Sequence, residues 1–368
     1  MAVLDYPTRP AARAKAHSTR QAVTIGLVNN MGDEALKATE RQFGDLIRAS
    51  AGDADVDLRL FALERTPRSS RALEYIRAGY EPAGAAMDRD LDALIITGAQ
   101  PRTASLSDEE YWEELIELID WASEHTISTL FSCLAAHAAV LHLDGVERRL
   151  LPQKCTGVFA FAAERDHPFA AEQAPDRFIP HSRYNGLFRS DLERAGYSIL
   201  TSSPEHGVDS FTKSFGSQFV FLQGHPEYDA NSLAREYRRD MARYLRKETE
   251  TVPLRPKGYF TAEAEAELDA LEGRAREDPS CLTTEELSRI DELAPAGARW
   301  RDVSLSFFRS WIDMIAVSSR DFANAGRAGA KSPSARGGRL LRATTQVNGP
   351  SEAELCHWVT GNARLLKS

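Results

Sequence analysis

The sequence predicts an α/β fold in which a doubly wound, mostly parallel sheet is covered by helices on both faces. Short apolar runs at residues 23–28, 93–97 and 127–131 are typical of strands buried on both faces. Helical patterns lie between such runs, and apolar strands joined by helices indicate a parallel sheet. The 368 residues, 42% of them hydrophobic, suffice for one large domain or two with a buried core.

The predicted elements of the first 145 residues follow in this order: strand 23–28, helix 34–50, strand 56–63, strand 93–97, helix 107–124, strand 127–131 and helix 134–143. Two later strands, 197–201 and 218–222, are expected to pair antiparallel at one edge of the sheet. A charged helix over 231–247 follows them, with apolar residues at helical spacing on its inner face.

Composition divides the chain into four expected regions: a flexible leader (1–21), the α/β domain (22–250), a helical extension packed on it (251–317) and a disordered tail (318–368). Prolines and a glycine between 253 and 258 indicate the turn into the extension. The aromatic segment 300–317 forms a helix that covers the sheet or builds a dimer interface; the sequence leaves both open.

Charge and cysteine usage exclude several classes of protein. A net charge of −9 argues against a nucleic-acid binder, which would show a basic face. The sequence contains no run of about 18 apolar residues, so we expect no membrane span. The N-terminal residues have no apolar segment of the kind found in secretory signals. The four cysteines are widely spaced, which favours a reduced, cytoplasmic protein without zinc or disulfides. Neither dinucleotide nor P-loop fingerprints occur, so we expect no metal and no cofactor.

The strongest chemical signal is Cys133, which lies between a predicted strand and a helix of small residues. A strand–nucleophile–helix turn exposes its side chain above the sheet and points backbone N–H groups and the positive helix end at it. Ser132 and Ala135 stand where such turns often have glycine. A buried structural cysteine is the alternative, and residue type alone favours neither.

The second signal is His225, which follows the predicted strand 218–222, with Glu227 two residues later. A carboxylate at this spacing can fix the histidine tautomer and stabilise the imidazolium, so the pair can serve as a base and its orienting group. Alone, the motif also fits an ordinary surface histidine. Its occurrence after a candidate nucleophile makes a catalytic triad the stronger interpretation.

The order Cys, His, Glu is similar to the triad of class I glutamine amidotransferase-like domains. The chain more closely resembles the MetA-type homoserine O-acyltransferases, in stretches that span residues 22–316. The similar stretches are 25–43, 93–101, 109–122, 128–140, 151–159, 180–185, 224–240 and 256–260, together with the helix around Trp300, Arg301 and Trp311. The blocks GHPEYD and EEYWEEL are the most specific of them. The resemblance implies a flavodoxin-like fold and makes 22–250 the catalytic acyltransferase domain.

The resemblance also implies roles for individual residues. It implies that Cys133 accepts the acyl group, that His225 is the general base and that Glu227 is its partner. The implied amino-acid-binding residues are Lys154, Ser182 and Arg239, and the implied acyl-specificity position is Arg102. From the residues alone, the alternatives are that Lys154 is a surface loop lysine, that Ser182 is a turn or capping hydroxyl and that Arg239 is a solvated residue of a charged helix.

The chain departs from the family pattern at two places near the site. The first loop reads Met-Gly-Asp-Glu at 31–34 and lacks the lysine of many members, so its oxyanion donors are expected among the backbone N–H groups near Ala35–Leu36. His137 stands where the family has glutamine. We expect it to be a core histidine, the alternative being a second polar neighbour of Cys133.

The expected function is therefore ping-pong transfer of an acyl group from acyl-CoA to the hydroxyl of homoserine, a step of methionine biosynthesis. Succinyl is favoured over acetyl because Arg102 is a cation that can pair with a terminal carboxylate. Acyl-CoA is here a substrate and not a cofactor, and the resemblance alone implies a homodimer. Two alternatives stay open: a glutamine amidotransferase-like amide hydrolase, and a degenerate, non-catalytic member.

Overall fold

The computed structural model describes residues 22–164, 177–278 and 282–329, with side chains up to residue 320 and only the backbone of Thr284. The predicted leader and most of the predicted tail lie outside these residues. The last helix continues to Gly329, beyond the predicted boundary at 317. No helix in the described ranges is long and apolar enough to span a membrane.

One sheet of ten strands, counted over the described ranges, organises the molecule. In chain order its strands are β1 (Ala22–Val28), β2 (Asp55–Ala62), β3 (Glu81–Pro82), β4 (Ala93–Thr97), β5 (Ser128–Ser132), β6 (Arg149–Ala163), β7 (Arg177–Gly186), β8 (Ser198–Ser203), β9 (Gly207–Phe215) and β10 (Ser217–Leu222). Their spatial order is β3-β2-β1-β4-β5-β10-β9-β8-β6-β7.

The first six strands of that order pair in parallel and the last four are added antiparallel. The central run β2-β1-β4-β5-β10 reverses direction beside β1, as in doubly wound sheets of the flavodoxin type. The predicted fold class is thereby confirmed. Strands β4, β5 and β10 are buried throughout, which explains the apolar residues that β4 has in four of five positions and that β5 and β10 have at their centres.

The predicted pairing of 197–201 with 218–222 at an edge is wrong. Strand β9 lies between β8 and β10 and pairs antiparallel with both. On its other side β10 pairs in parallel with β5, so it is an interior strand. This placement brings the carboxyl ends of β5 and β10 together, with Leu222 paired to Ser132.

Nine α-helices occur in the described ranges. They are α1 (Leu36–Ser50), α2 (Ser70–Gly79), α3 (Trp112–His125), α4 (Leu134–Asp144), α5 (Arg189–Arg194), α6 (Ser232–Leu245), α7 (Ala262–Glu277), α8 (Thr284–Glu292) and α9 (Arg301–Gly329). Helices α3 and α4 pack on one face of the sheet, and α1 and α9 on the other.

The aromatic helix α9 covers the sheet, and its aromatic side chains up to residue 320 are buried or half-buried. Phe308 and Trp311 are fully buried among β1, β4, β5 and α1. The Trp311 indole N–H donates to the Ser128 hydroxyl at 2.9 Å, which satisfies the one polar atom of that ring. Of the two expected roles of this segment, covering the sheet is the one observed.

The turn into the helical extension packs against β6 at Gly157. This residue has φ of +144°, and a Cβ placed there would lie 2.7 Å from the backbone nitrogen of Lys257. The N–H of Val158 donates to the Lys257 carbonyl at 2.9 Å, so the backbone of β6 is in direct contact with the backbone of the turn. Only glycine satisfies both the dihedral angle and the close approach.

Replacing Gly157 with alanine is therefore expected to destabilise the fold. We expect G157A to lower the free energy of unfolding by about 2–3 kcal/mol, because it combines backbone strain with a steric clash. Denaturant unfolding followed by circular dichroism measures the change. The control is G273A, at a glycine of α7 with nothing within 4 Å. Equal stability of G157A and the parent chain would contradict this account of the contact.

Candidate active site

Cys133 occupies a tight turn between β5 and α4. Its φ of 53° and ψ of −112° lie outside the regions that L-residues usually adopt. The Cys133 N–H donates to the Leu222 carbonyl at 2.8 Å, which ties the turn to the end of β10. Gly98, which follows the neighbouring strand β4, packs against the start of α4. A Cβ added at Gly98 would lie 2.9 Å from the Leu134 nitrogen, so only glycine allows the two segments to lie this close. The strained, half-buried cysteine matches the predicted nucleophile turn.

His225 lies just beyond the adjacent strand, β10, and is fixed from three sides. Its backbone N–H donates to the Pro180 carbonyl at 2.8 Å. Its Nδ1 is 2.8 Å from Glu227 Oε1, and its ring stacks on Tyr228 with 4.2 Å between ring centroids. Glu227 is only 4% exposed, so its carboxylate interacts with the imidazole in a largely dry environment.

The pKa of His225 is raised well above its usual value of 6.5. Burial acts against the imidazolium, but the charge of Glu227, the charge of the Cys133 sulfur and hydrogen bonds to both outweigh it. The histidine therefore holds its proton at neutral pH while Cys133 is unmodified. The carboxylate of Glu227 is the fixed partner that stabilises a positive imidazolium at this position.

All seven predicted site residues line one cleft of about 1380 Å³. They are Cys133, His225, Glu227, Lys154, Ser182, Arg239 and Arg102. The cleft opens at the carboxyl ends of the parallel strands, where doubly wound folds bind their ligands.

The cations predicted to bind an amino acid are held by one carboxylate that the sequence analysis missed. Asp240 Oδ2 accepts from Lys154 Nζ at 2.7 Å, and Asp240 Oδ1 accepts from Arg239 Nη2 at 3.0 Å. The nearby cations keep the pKa of Asp240 below its usual value despite its burial. Asp240 thus fixes the two charged groups relative to each other.

Glu236 is a second carboxylate that the sequence analysis missed. It accepts hydrogen bonds from the Ser182 hydroxyl and, at 2.5 Å, from the Tyr228 hydroxyl. Glu236 and Asp240 are four residues apart, so they share one face of α6. That spacing was the available signal, but it lay within a dense run of charged residues.

Arg102 is exposed in the loop that follows β4. The buried carboxylate of Glu109 holds this loop, accepting from the backbone N–H of Arg102 at 2.7 Å and of Thr103 at 2.8 Å. The backbone of the predicted acyl-specificity position is therefore fixed, while its guanidinium extends toward solvent.

The backbone N–H groups near Ala35–Leu36 do not fit the expected oxyanion donors. Both donate to the Gly32 carbonyl, at 3.2 and 3.0 Å, in the turn that leads into α1. The expectation for His137 is confirmed, because it is 2% exposed and its Nε2 is 3.0 Å from Gln223 Oε1. Burial lowers the pKa of His137 to about 3, so it is a neutral core residue.

No cluster of three or more His, Cys, Asp or Glu side chains suited to a metal ion occurs in the part of the chain that the structure describes. The arrangement is instead a cysteine, a histidine and a carboxylate beside fixed positive and negative charges. Such a set can form a covalent bond to a carbonyl carbon and can orient a zwitterion.

Comparisons with known proteins agree with the resemblance. The family model of homoserine O-succinyltransferases matches residues 8–321. A protein of that name from Rhodopseudomonas palustris is 43% identical over 85% of this chain and 96% of its own length. Another from Methylorubrum extorquens is 44% identical over 79% of this chain and 86% of its own length.

Among solved structures, a glutamine amidotransferase from Thermotoga maritima matches 80% of this chain and 98% of its own, at 15% identity and a TM-score of 0.43. The sequence comparisons carry the family assignment, because the family model extends over both the α/β domain and the helical extension, to residue 321. On that ground, the chain belongs to the homoserine O-succinyltransferase family of acyltransferases.

Proposed function

We propose that this chain transfers a succinyl group from succinyl-CoA to the hydroxyl of homoserine by a ping-pong mechanism with a Cys133 thioester. The observation that carries the proposal is the shared cleft, in which Cys133 and the His225–Glu227 pair lie beside Lys154 and Arg239. A cleft that brings a candidate nucleophile and base beside charges suited to an amino acid supports this proposal. Family membership supports the same reaction.

In the first half-reaction, the Cys133 thiolate attacks the thioester carbonyl of the donor. The tetrahedral intermediate collapses, the carbon–sulfur bond to CoA breaks, and the proton of the His225 imidazolium passes to the departing CoA sulfur. One thioester replaces another, so no steep energetic step is needed. The N–H of Leu134, the residue after the nucleophile, is the oxyanion donor that this kind of turn supplies.

The second half-reaction needs His225 as a base, and acylation itself favours that change. Once Cys133 carries the acyl group it is no longer anionic, so one of the two charges that raise the His225 pKa is removed. His225 then takes the proton of the homoserine hydroxyl as its oxygen attacks the acyl carbon. Glu227 stabilises the resulting imidazolium, and the Cys133 thiolate is released as the ester forms.

The acceptor site uses the charges fixed by α6. Homoserine is a zwitterion, and its carboxylate can form two parallel hydrogen bonds with the Arg239 guanidinium. Its ammonium group needs an anion, which Glu236 supplies in the same cleft. Ser182 is bound to Glu236 and lies where it can orient the acceptor.

Intact-protein mass spectrometry after mixing with succinyl-CoA or acetyl-CoA tests the proposal. We expect a covalent increase of about 100 Da with succinyl-CoA, which homoserine removes and related hydroxy amino acids remove more slowly. An increase of about 42 Da with acetyl-CoA alone would establish the acetyl donor instead. No adduct with either donor would contradict acyl transfer. Ammonia release from glutamine would then support the amide hydrolase, and its absence the non-catalytic alternative.

Removing the charge of Asp240 is expected to damage acceptor binding without damaging acylation. In D240N, Lys154 and Arg239 lose the carboxylate that positions them, so we expect the KM for homoserine to rise about 10-fold or more. The rate of acyl-enzyme formation should stay near that of the parent chain, because it needs no acceptor. Steady-state kinetics and quenched-flow mass spectrometry measure the two effects. Equal losses in both half-reactions would contradict this assignment.

A further inference from the structure

Ten of the described lysine and arginine side chains line the cleft, and seven of them have protein partners. Those with side-chain hydrogen bonds or ion pairs are Arg68, Lys154, Arg183, Arg238, Arg239, Arg243 and Arg246. Among the described residues, the side chains of Arg102, Arg148 and Arg235 form no hydrogen bond or ion pair. These three are the cleft cations whose side chains have no partner among the described residues.

Burial separates Arg148 from the other two. Arg102 and Arg235 are exposed, where water solvates a guanidinium well, whereas Arg148 is half-buried. Withdrawing an arginine from water without pairing it is costly, and here burial lowers the pKa of Arg148. An unpaired, half-buried guanidinium in a ligand cleft is a site prepared for an anion.

The surroundings of Arg148 connect it to the nucleophile. It lies just before β6, after α4 has ended at the left-handed Gly145, and it lines the same cleft as Cys133, whose charge acts on the guanidinium. Its other electrostatic neighbours are Tyr111 and Glu109. Glu109 Oε1 is already bound by the loop at 102–103, and burial keeps the Tyr111 hydroxyl neutral. Neither group pairs with the guanidinium.

We propose that Arg148 binds the terminal carboxylate of the acyl group carried by Cys133, and so determines selectivity for succinyl over uncharged acyl groups. The inference rests on the proposed acyl transfer. It assigns to Arg148 the role that the sequence analysis expected of Arg102. A half-buried cation near the sulfur suits a carboxylate that is part of the thioester, whereas an exposed one at the loop has water as a competitor.

A pair of donors that differ only in the charged end tests the inference. Butyryl-CoA carries a methyl group where succinyl-CoA carries the terminal carboxylate, so only the second can use Arg148. In R148Q we expect kcat/KM and the acylation rate with succinyl-CoA to fall about 10- to 100-fold, with those for butyryl-CoA unchanged. R148K, which keeps the charge, should recover part of the loss.

Two further variants make the result specific. R77Q removes an exposed arginine of α2 outside the cleft and should leave both donors unaffected. R102Q tests the competing position, and a loss confined to succinyl-CoA in R102Q alone would overturn the inference. Equal losses with both donors in R148Q would also overturn it, because they indicate an effect on the thiolate or on CoA. The proposed function fails separately, if the parent chain forms no acyl-enzyme at all.

Discussion

Cys133→Ala is expected to abolish both acyl-enzyme formation and turnover. Removing the sulfur removes the only atom that the proposed mechanism lets attack the donor, so we expect kcat to fall by at least about 10⁴-fold. The turn should survive, since alanine is smaller than cysteine and the backbone N–H of residue 133 still donates to the Leu222 carbonyl. Mass spectrometry with succinyl-CoA and a CoA-release assay measure the two losses.

Cys155 provides the matched control. It is also a free cysteine, lying in β6 outside the lining of the cleft, and burial raises the pKa of its thiol. C155A should therefore form the acyl-enzyme at the parent rate. A C133A protein with normal turnover, or an adduct that disappears only in C155A, would contradict the assignment of the nucleophile.

The parallel half of the fold could be predicted because its strands are buried on both faces. Residues 93–97 are apolar in four of five positions and residues 127–131 in three of five, and helical patterns lie between the apolar runs. The antiparallel half could not, because β9 contains buried polar residues such as Asp209 and Thr212. Hydrogen bonds to Thr201 and to the Phe219 carbonyl satisfy them, and those partners lie on other strands.

The residues of the candidate site also divide into those that the sequence predicts and those that it does not. Cys133 and the His225–Glu227 pair belong to local patterns, a strand–turn–helix and a histidine with a carboxylate two residues later. The roles of Asp240 and Arg148 depend instead on which charges lie across the cleft. Within α6, neighbouring arginines differ in this respect: Arg238 pairs with Asp291 and Arg239 with Asp240. No pattern in a charged run reveals such a difference.

Glu227→Gln should damage the enzyme nearly as much as loss of the nucleophile, and in a way that depends on pH. Glu227 Oε1 accepts the proton of His225 Nδ1, while Oε2 is buried without a hydrogen-bond partner among the described residues. A glutamine amide can donate to Nδ1 and so stabilise the wrong tautomer, which leaves Nε2 protonated and unable to act as a base. We expect kcat to fall about 10²- to 10⁴-fold.

The direction of the pH effect follows from the charges around His225. Glu227 raises the pKa of His225, so its removal lowers that pKa, and the imidazolium then loses its proton at a lower pH. Because the imidazolium protonates the departing CoA, the alkaline limb of the acylation rate in E227Q should move to lower pH. E227D, which keeps the charge, should keep the limb closer to its original position. Stopped-flow measurement of CoA release across the pH range gives the position of the alkaline limb for the parent chain, E227Q and E227D. A uniform loss in E227Q, with the limb unmoved, would mean that Glu227 positions the ring without setting its charge.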